Sequence, residues 1–111
     1  MPYSAFTYSL TQVAIVTGAA GGIGSAIVQR FLNDGARCAI FDLNEKRGNE
    51  LLADEFKAFA AENKVRFYKV NVSKRQACFD AVDEVVKDFG RVDFLVNGVA
   101  YFTSSVSLET F

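Results

Sequence analysis

The sequence contains no histidine. That excludes histidine-based triads, histidine metal ligands and an imidazole pH switch. Cysteine is nearly absent too. Cys38 and Cys78 are the only two, too few for a structural zinc site. Each sits singly in an apolar stretch, which reads as a buried reduced thiol and fits a cytoplasmic location. A disulfide between them stays open at this level. No basic residue precedes Arg30, so no positively charged leader and no secretory signal are expected. Long apolar runs are missing, and no membrane span is expected. Neither charge sign dominates: 12 basic residues face 13 acidic ones, for a net charge of −1. Such a balance offers no footprint for nucleic acid and no polybasic patch for a membrane.

What is present is ordinary globular material. Of 111 residues, 50% are hydrophobic and 23% charged, which suits one small domain with a real core rather than a disordered chain. Residues 1–11 read as an irregular lead-in holding the sole proline, Pro2. From residue 12 the chain alternates. Val13 to Val16 is a short continuous apolar run, as expected of a strand buried on both faces. Ile23, Ile27 and Phe31, widened by Val28 and Leu32, predict a helix that Gly35 stops.

Cys38 to Phe41 predicts a second buried strand ending at Asp42. A helix carrying Leu51, Leu52, Phe56 and Phe59 follows, with Gly48 as a weak spot. Val65 to Val70 alternates like a strand nearer the sheet edge, and Ser73 is the expected N-cap of a third helix. Phe79, Val82, Val85, Val86 and Phe89 give that helix its expected core face, and Gly90 its end. Val92 to Val96 is the fourth strand, apolar except at Asp93. The order βαβαβαβ predicts an α/β fold: a doubly wound, Rossmann-like parallel sheet with strand order 3-2-1-4.

Thr17-Gly18-Ala19-Ala20-Gly21-Gly22-Ile23-Gly24 lies between the first strand and the first helix. Glycines let the backbone turn sharply and let a ligand approach without meeting a Cβ. The helix behind them aims free N–H groups and a partial positive charge at that point, where a pyrophosphate is the natural occupant. A Walker A loop is excluded, since no lysine precedes Lys46. GxGxxG fails as well, because Ile27 stands where its last glycine belongs. TGxxxGxG fits on Gly18, Gly22 and Gly24, while Gly18, Gly21 and Gly24 also satisfy GxxGxxG, so the loop alone leaves two related families open.

Asp42 ends the second strand, where an acid in such a fold accepts hydrogen bonds from the adenosine ribose. A 2′-phosphate there would meet a like charge. The glycine loop carries no basic residue, and Leu43 and Asn44 follow the acid. These features favour NAD over NADP. The competing reading is an acid that merely caps the next helix.

The loop from Thr17 to Gly24 resembles the cofactor loop of the short-chain dehydrogenase/reductase family, in its single-domain branch. The resemblance runs from about Gln12 to Ala100 and includes Phe89 to Asn97, which is similar to that family's fourth strand and its approach. It implies cofactor contacts from Gly18, Gly22, Ile23, Gly24, Asp42, Leu43, Asn71, Val72 and Asn97. It also implies an NAD-dependent oxidoreductase acting on an alcohol or ketone.

Two positions depart from the family pattern. Asn97-Gly98-Val99-Ala100 replaces the usual Asn-Asn-Ala-Gly, a change bearing on backbone geometry more than on cofactor binding. Asn71-Val72 replaces Asp-Val near the adenine, where an amide can donate or accept.

The family's Ser, Tyr and Lys catalytic set is absent. The residues four positions after Tyr3, Tyr8, Tyr68 and Tyr101 are Thr7, Gln12, Val72 and Ser105, so no YxxxK exists. Ser104, Ser105 and Ser107 follow the fourth strand too soon to supply the family's serine. Residues 12–111 are therefore expected to be the N-terminal part of the domain. By itself the chain should be inactive, and its bare fourth strand should make it marginal, homo-oligomeric or part of a longer protein. The alternatives are a nucleotide-binding fragment without catalysis and an extended-branch sugar-nucleotide epimerase or dehydratase.

Overall fold

A computed structural model describes residues 12–98 of the chain. The lead-in and the tail from Val99 onward, including Ser104, Ser105 and Ser107, lie outside the described residues. Eight elements follow in order: β1 (Val13–Thr17), α1 (Gly22–Asn33), β2 (Arg37–Asp42), α2 (Glu45–Ala53), α3 (Lys57–Ala61), β3 (Val65–Lys69), α4 (Arg75–Phe89) and β4 (Phe94–Asn97). The strands form one parallel sheet in the order β3-β2-β1-β4, as the alternation predicts.

Strand periodicity divides the core between two faces. Ala14, Val16, Cys38 and Ile40 join Val28 and Leu32 of α1, Leu51 of α2 and the loop residue Phe56. Val13, Ile15, Ala39 and Phe41 point the other way, to Ala81, Val85 and Phe89 of α4. β1 is buried along its whole length because both of its faces and both of its edges are covered.

Several expectations need correction. The second helix is two helices. Asp54 leaves helical geometry at φ −116°, ψ −81°, and the turn drives Phe56 into the core, where it is fully buried. Ser73 does not cap α4. Its hydroxyl is bound to Asn71, and Lys74 stands at the N-cap with no side-chain bond.

The core face of α4 is narrower than its apolar pattern. Phe79 is 52% exposed beneath the Arg75 guanidinium, and Val86 is exposed as well. Ile23 likewise leaves the core stripe of α1 and is 82% exposed. The fourth strand starts at Phe94 rather than Val92. The Asp93 carboxylate takes the Val13 N–H at 2.8 Å, while its own N–H donates to the Val13 carbonyl at 2.8 Å.

Both cysteines are free; Cys38 is buried, and Cys78 only half-buried. Burial pushes the Cys38 thiol up to about 12. Arg66 and Lys69 are solvent-facing, and they pair with Asp88 at 3.2 Å and Glu45 at 3.6 Å. No helix among the described residues is long and apolar enough to cross a membrane.

Candidate functional site

The C-terminal ends of β1, β2 and β3 open into one cavity of about 810 Å³. Its walls come from the glycine loop, the β2 end with Asp42, Leu43 and Asn44, and the β3 end from Val70 to Ser73, with Gly98 beside them. It lies at the C-terminal edge of the sheet, where open α/β sheets take their ligands, and extends from the β1–β4 reversal of winding toward β3.

Glycine geometry explains the loop. Gly18 sits at φ 67°, the left-handed region that residues with a Cβ avoid. Gly24 lies under the turn. A Cβ there would stand 2.6 Å from the Ala19 Cα and closer still to the Gly18 carbonyl oxygen. Gly22 differs: a Cβ there would meet nothing within 4 Å. The first turn of α1 leaves the amides of Gly22, Ile23 and Gly24 without intrahelical acceptors, and Ser25 is the first to donate back, to Gly21 at 2.9 Å. A glycine-rich backbone cradle with free amides, backed by a helix terminus, fits a phosphate.

Asp42 is not a helix cap. Asn44 caps α2, accepting the Arg47 amide at 3.0 Å. The Asp42 carboxylate instead accepts the Ala20 N–H at 3.0 Å and the Asn44 N–H at 2.9 Å. A carboxylate offers about four lone-pair sites, so about two remain for hydroxyl donors.

Five of the expected residues line the cavity: Gly18, Asp42, Leu43, Asn71 and Val72. Gly24 supports the loop from behind, while Gly22 and the exposed Ile23 begin α1 and are not among the lining residues. Asn97 stands apart from the cavity, paired in register with Thr17. Gly98 completes that end. Its N–H reaches the Thr17 carbonyl at 3.1 Å and the Thr17 hydroxyl at 3.0 Å, and a Cβ would press on the same carbonyl at 2.5 Å. The glycine that departs from the family pattern thus suits a close strand approach.

Sequence reasoning missed Ser73 and Gly98 as wall residues. Ser73 reads as a cap in sequence, and Gly98 touches Thr17 only once the sheet has formed. No group of three potential metal ligands occurs among the described residues.

Comparison with known proteins agrees with this geometry. Residues 12–111 match the short chain dehydrogenase family. The chain is 43% identical over 86 residues to 3beta-hydroxysteroid dehydrogenase 2 of Eggerthella lenta, covering 78% of this chain and 32% of that protein. It is 42% identical over 100 residues to D-threitol dehydrogenase of Mycolicibacterium smegmatis, covering 88% and 37%. Among solved structures, NAD+-bound xylitol dehydrogenase superposes with a TM-score of 0.73 at 34% identity, covering 82% of this chain and 34% of that one. A metagenomic short-chain oxidoreductase in complex with NADP gives 0.73 at 31% identity, covering 91% and 44%. The chain spans about a third of the length of the curated relatives named here. From its fold, its glycine loop and its match over residues 12–111, this chain belongs to the short chain dehydrogenase family.

Proposed function

We infer that residues 12–111 are the N-terminal part of an NAD-binding domain, in an oxidoreductase that moves hydride between nicotinamide and an alcohol or ketone. The observation that carries this reading is Asp42, an acid tied to the glycine loop yet retaining lone pairs toward the cavity. The loop and the α1 amides hold the pyrophosphate, and Asp42 holds the adenosine ribose. The bound nicotinamide supplies the hydride chemistry. A carboxylate at this point disfavours a 2′-phosphate by like-charge repulsion, so NAD is preferred. Relatives of both cofactor types superpose equally well, so the preference rests on Asp42 rather than on fold.

β4 forms one edge of the sheet among the described residues, with Leu95 60% exposed. We assign that edge to pairing with the remainder of the protein, which carries the Tyr and Lys absent here. In this reading the protein acts in the cytoplasm as a homo-oligomer. The test is turnover by the complete protein, with secondary alcohols and NAD or NADP. NAD-linked oxidation with a YxxxK beyond Phe111 supports the enzyme. Nucleotide binding with no YxxxK and no turnover supports the second reading, a binding fragment.

A further inference from the structure

β4 is unevenly covered. Phe94 and Val96 turn to the face that carries α1, with the Phe94 ring 5.9 Å from that of Phe31. Leu95 pairs in register with Ile15 and turns to the face that carries α4, where it is exposed. α4 lies over Val13 and Ile15 of β1 and Ala39 and Phe41 of β2, with β3 on one side and β4 on the other. On one flank of its buried Val85, Asp88 accepts the Tyr68 hydroxyl at 2.6 Å and meets Arg66 at 3.2 Å, so that flank points toward β3. Phe79, Val82 and Val86 fall at i, i+3 and i+7 on the other flank, which points toward β4. Phe79 and Val86 are exposed, and Val82 is half-buried.

We propose that Phe79, Val82 and Val86 of α4, together with Leu95 of β4, form the seat of an amphipathic helix supplied by the same polypeptide after Gly98. Connection handedness selects this occupant. The crossovers from β1 to β2 and from β2 to β3 run one way across the sheet, and α1 and Leu51 of α2 pack on the face of Ala14 and Val16. The crossover from β3 to β4 runs the other way, and α4 packs on the opposite face. One hand of connection accounts for both. A chain that leaves β4 away from β3, toward a further parallel strand, therefore brings its helix down beside α4. That is where Leu95 and the flank of α4 stand open. The edge of β4 thus takes a strand, and this seat takes the helix that leads to it. The proposal rests on the reading above that the domain continues past the described residues.

Thermal melting and solution mass of the complete protein test this, with Val86→Ser and Leu95→Ser as variants and Glu84→Ser, at another exposed position of α4, as the control. A covered seat makes Val86 and Leu95 core residues. Each serine should then lower the melting temperature by more than about 5 °C, with the mass unchanged and the control within about 2 °C of the parent. Melting temperatures unchanged in both variants would mean an open seat and would overturn the proposal. A loss of melting temperature accompanied by a fall to a smaller assembly would make the occupant a second copy, and would overturn it as well. Both outcomes leave the continuation of the domain intact. A complete protein that ends at Phe111 overturns that continuation and this proposal together. Should either serine variant not fold, Val86→Ala and Leu95→Ala are read in the same way, with about half the shift expected.

Discussion

The Asp42 carboxylate accepts the backbone N–H of Ala20 at 3.0 Å, joining the end of β2 to the glycine loop. One side chain thus shapes the loop and lines the cavity. Asp42→Ala removes an acceptor from the N–H of buried Ala20 and from that of Asn44. Leaving a partly buried donor unpaired costs about 1–2 kcal/mol. Thermal melting should show a modest loss with folding retained, and the ratio of NADP to NAD dissociation constants should shrink toward one.

Gly24 and Gly22 separate packing from ligand approach. Gly24→Ala drives a methyl into the backbone of Gly18 and Ala19, which cannot swing aside. Overpacking of this kind costs about 1–3 kcal/mol or more, so both melting temperature and nucleotide binding should fall. Gly22→Ala has open space around it and gains helix propensity of up to about 1 kcal/mol. With the pyrophosphate at the α1 amides, as proposed, its melting temperature should hold or rise while dinucleotide affinity falls. Unchanged affinity in Gly22→Ala would place the phosphate elsewhere.

Gly48 reverses a propensity argument. By helix propensity, Gly48→Ala in α2 should stabilise by about 1 kcal/mol. A Cβ at Gly48 would instead overlap the Phe67 ring of β3, with the Phe67 Cγ only 2.8 Å away. The expected outcome is a lower melting temperature. Gly48→Ala combined with Phe67→Leu should recover part of it, through a coupling that neither single substitution shows.

Four side chains give stability a pH dependence. The Tyr68 hydroxyl, aided by Arg66 and opposed by burial, holds Asp88 below its usual range. Arg91 does the same for Asp93, again against burial, with help from the Val13 amide. A depressed carboxyl stabilises above its unfolded value, about 3.9, and that contribution is lost as pH falls through the folded one. Burial raises Cys38 to about 12, and burial followed by Asp88 raises Tyr68. A raised thiol or phenol keeps its full contribution below the unfolded values, about 8.5 and 10, and loses it as pH rises beyond them. Melting temperature should therefore fall on both sides of neutrality, and Asp93→Asn should flatten the acid limb. Near pH 8 a thiol reagent should modify Cys78 well before Cys38.

The sheet was legible because its signals are local. Four strands alternating with helical segments, two of them ended by Gly35 and Gly90, admit few arrangements, and chirality selects the order observed. The glycine loop and Asp42 were legible for the same reason: their spacing along one βαβ unit is itself the signal. What escaped depends on contacts made only after folding. Phe56 reads as a helix residue until the turn at Asp54 sends it inward. Ser73 reads as a cap until Asn71 engages its hydroxyl. Phe79 and Val86 read as core because periodicity cannot show how wide a strip of α4 the sheet covers.

Cofactor choice at Asp42 is the central claim, and calorimetric titration with NAD and NADP under identical salt tests it most directly. Tighter binding of NAD, with the difference narrowed in Asp42→Ala, is the expected result. Equal or tighter binding of NADP would contradict it.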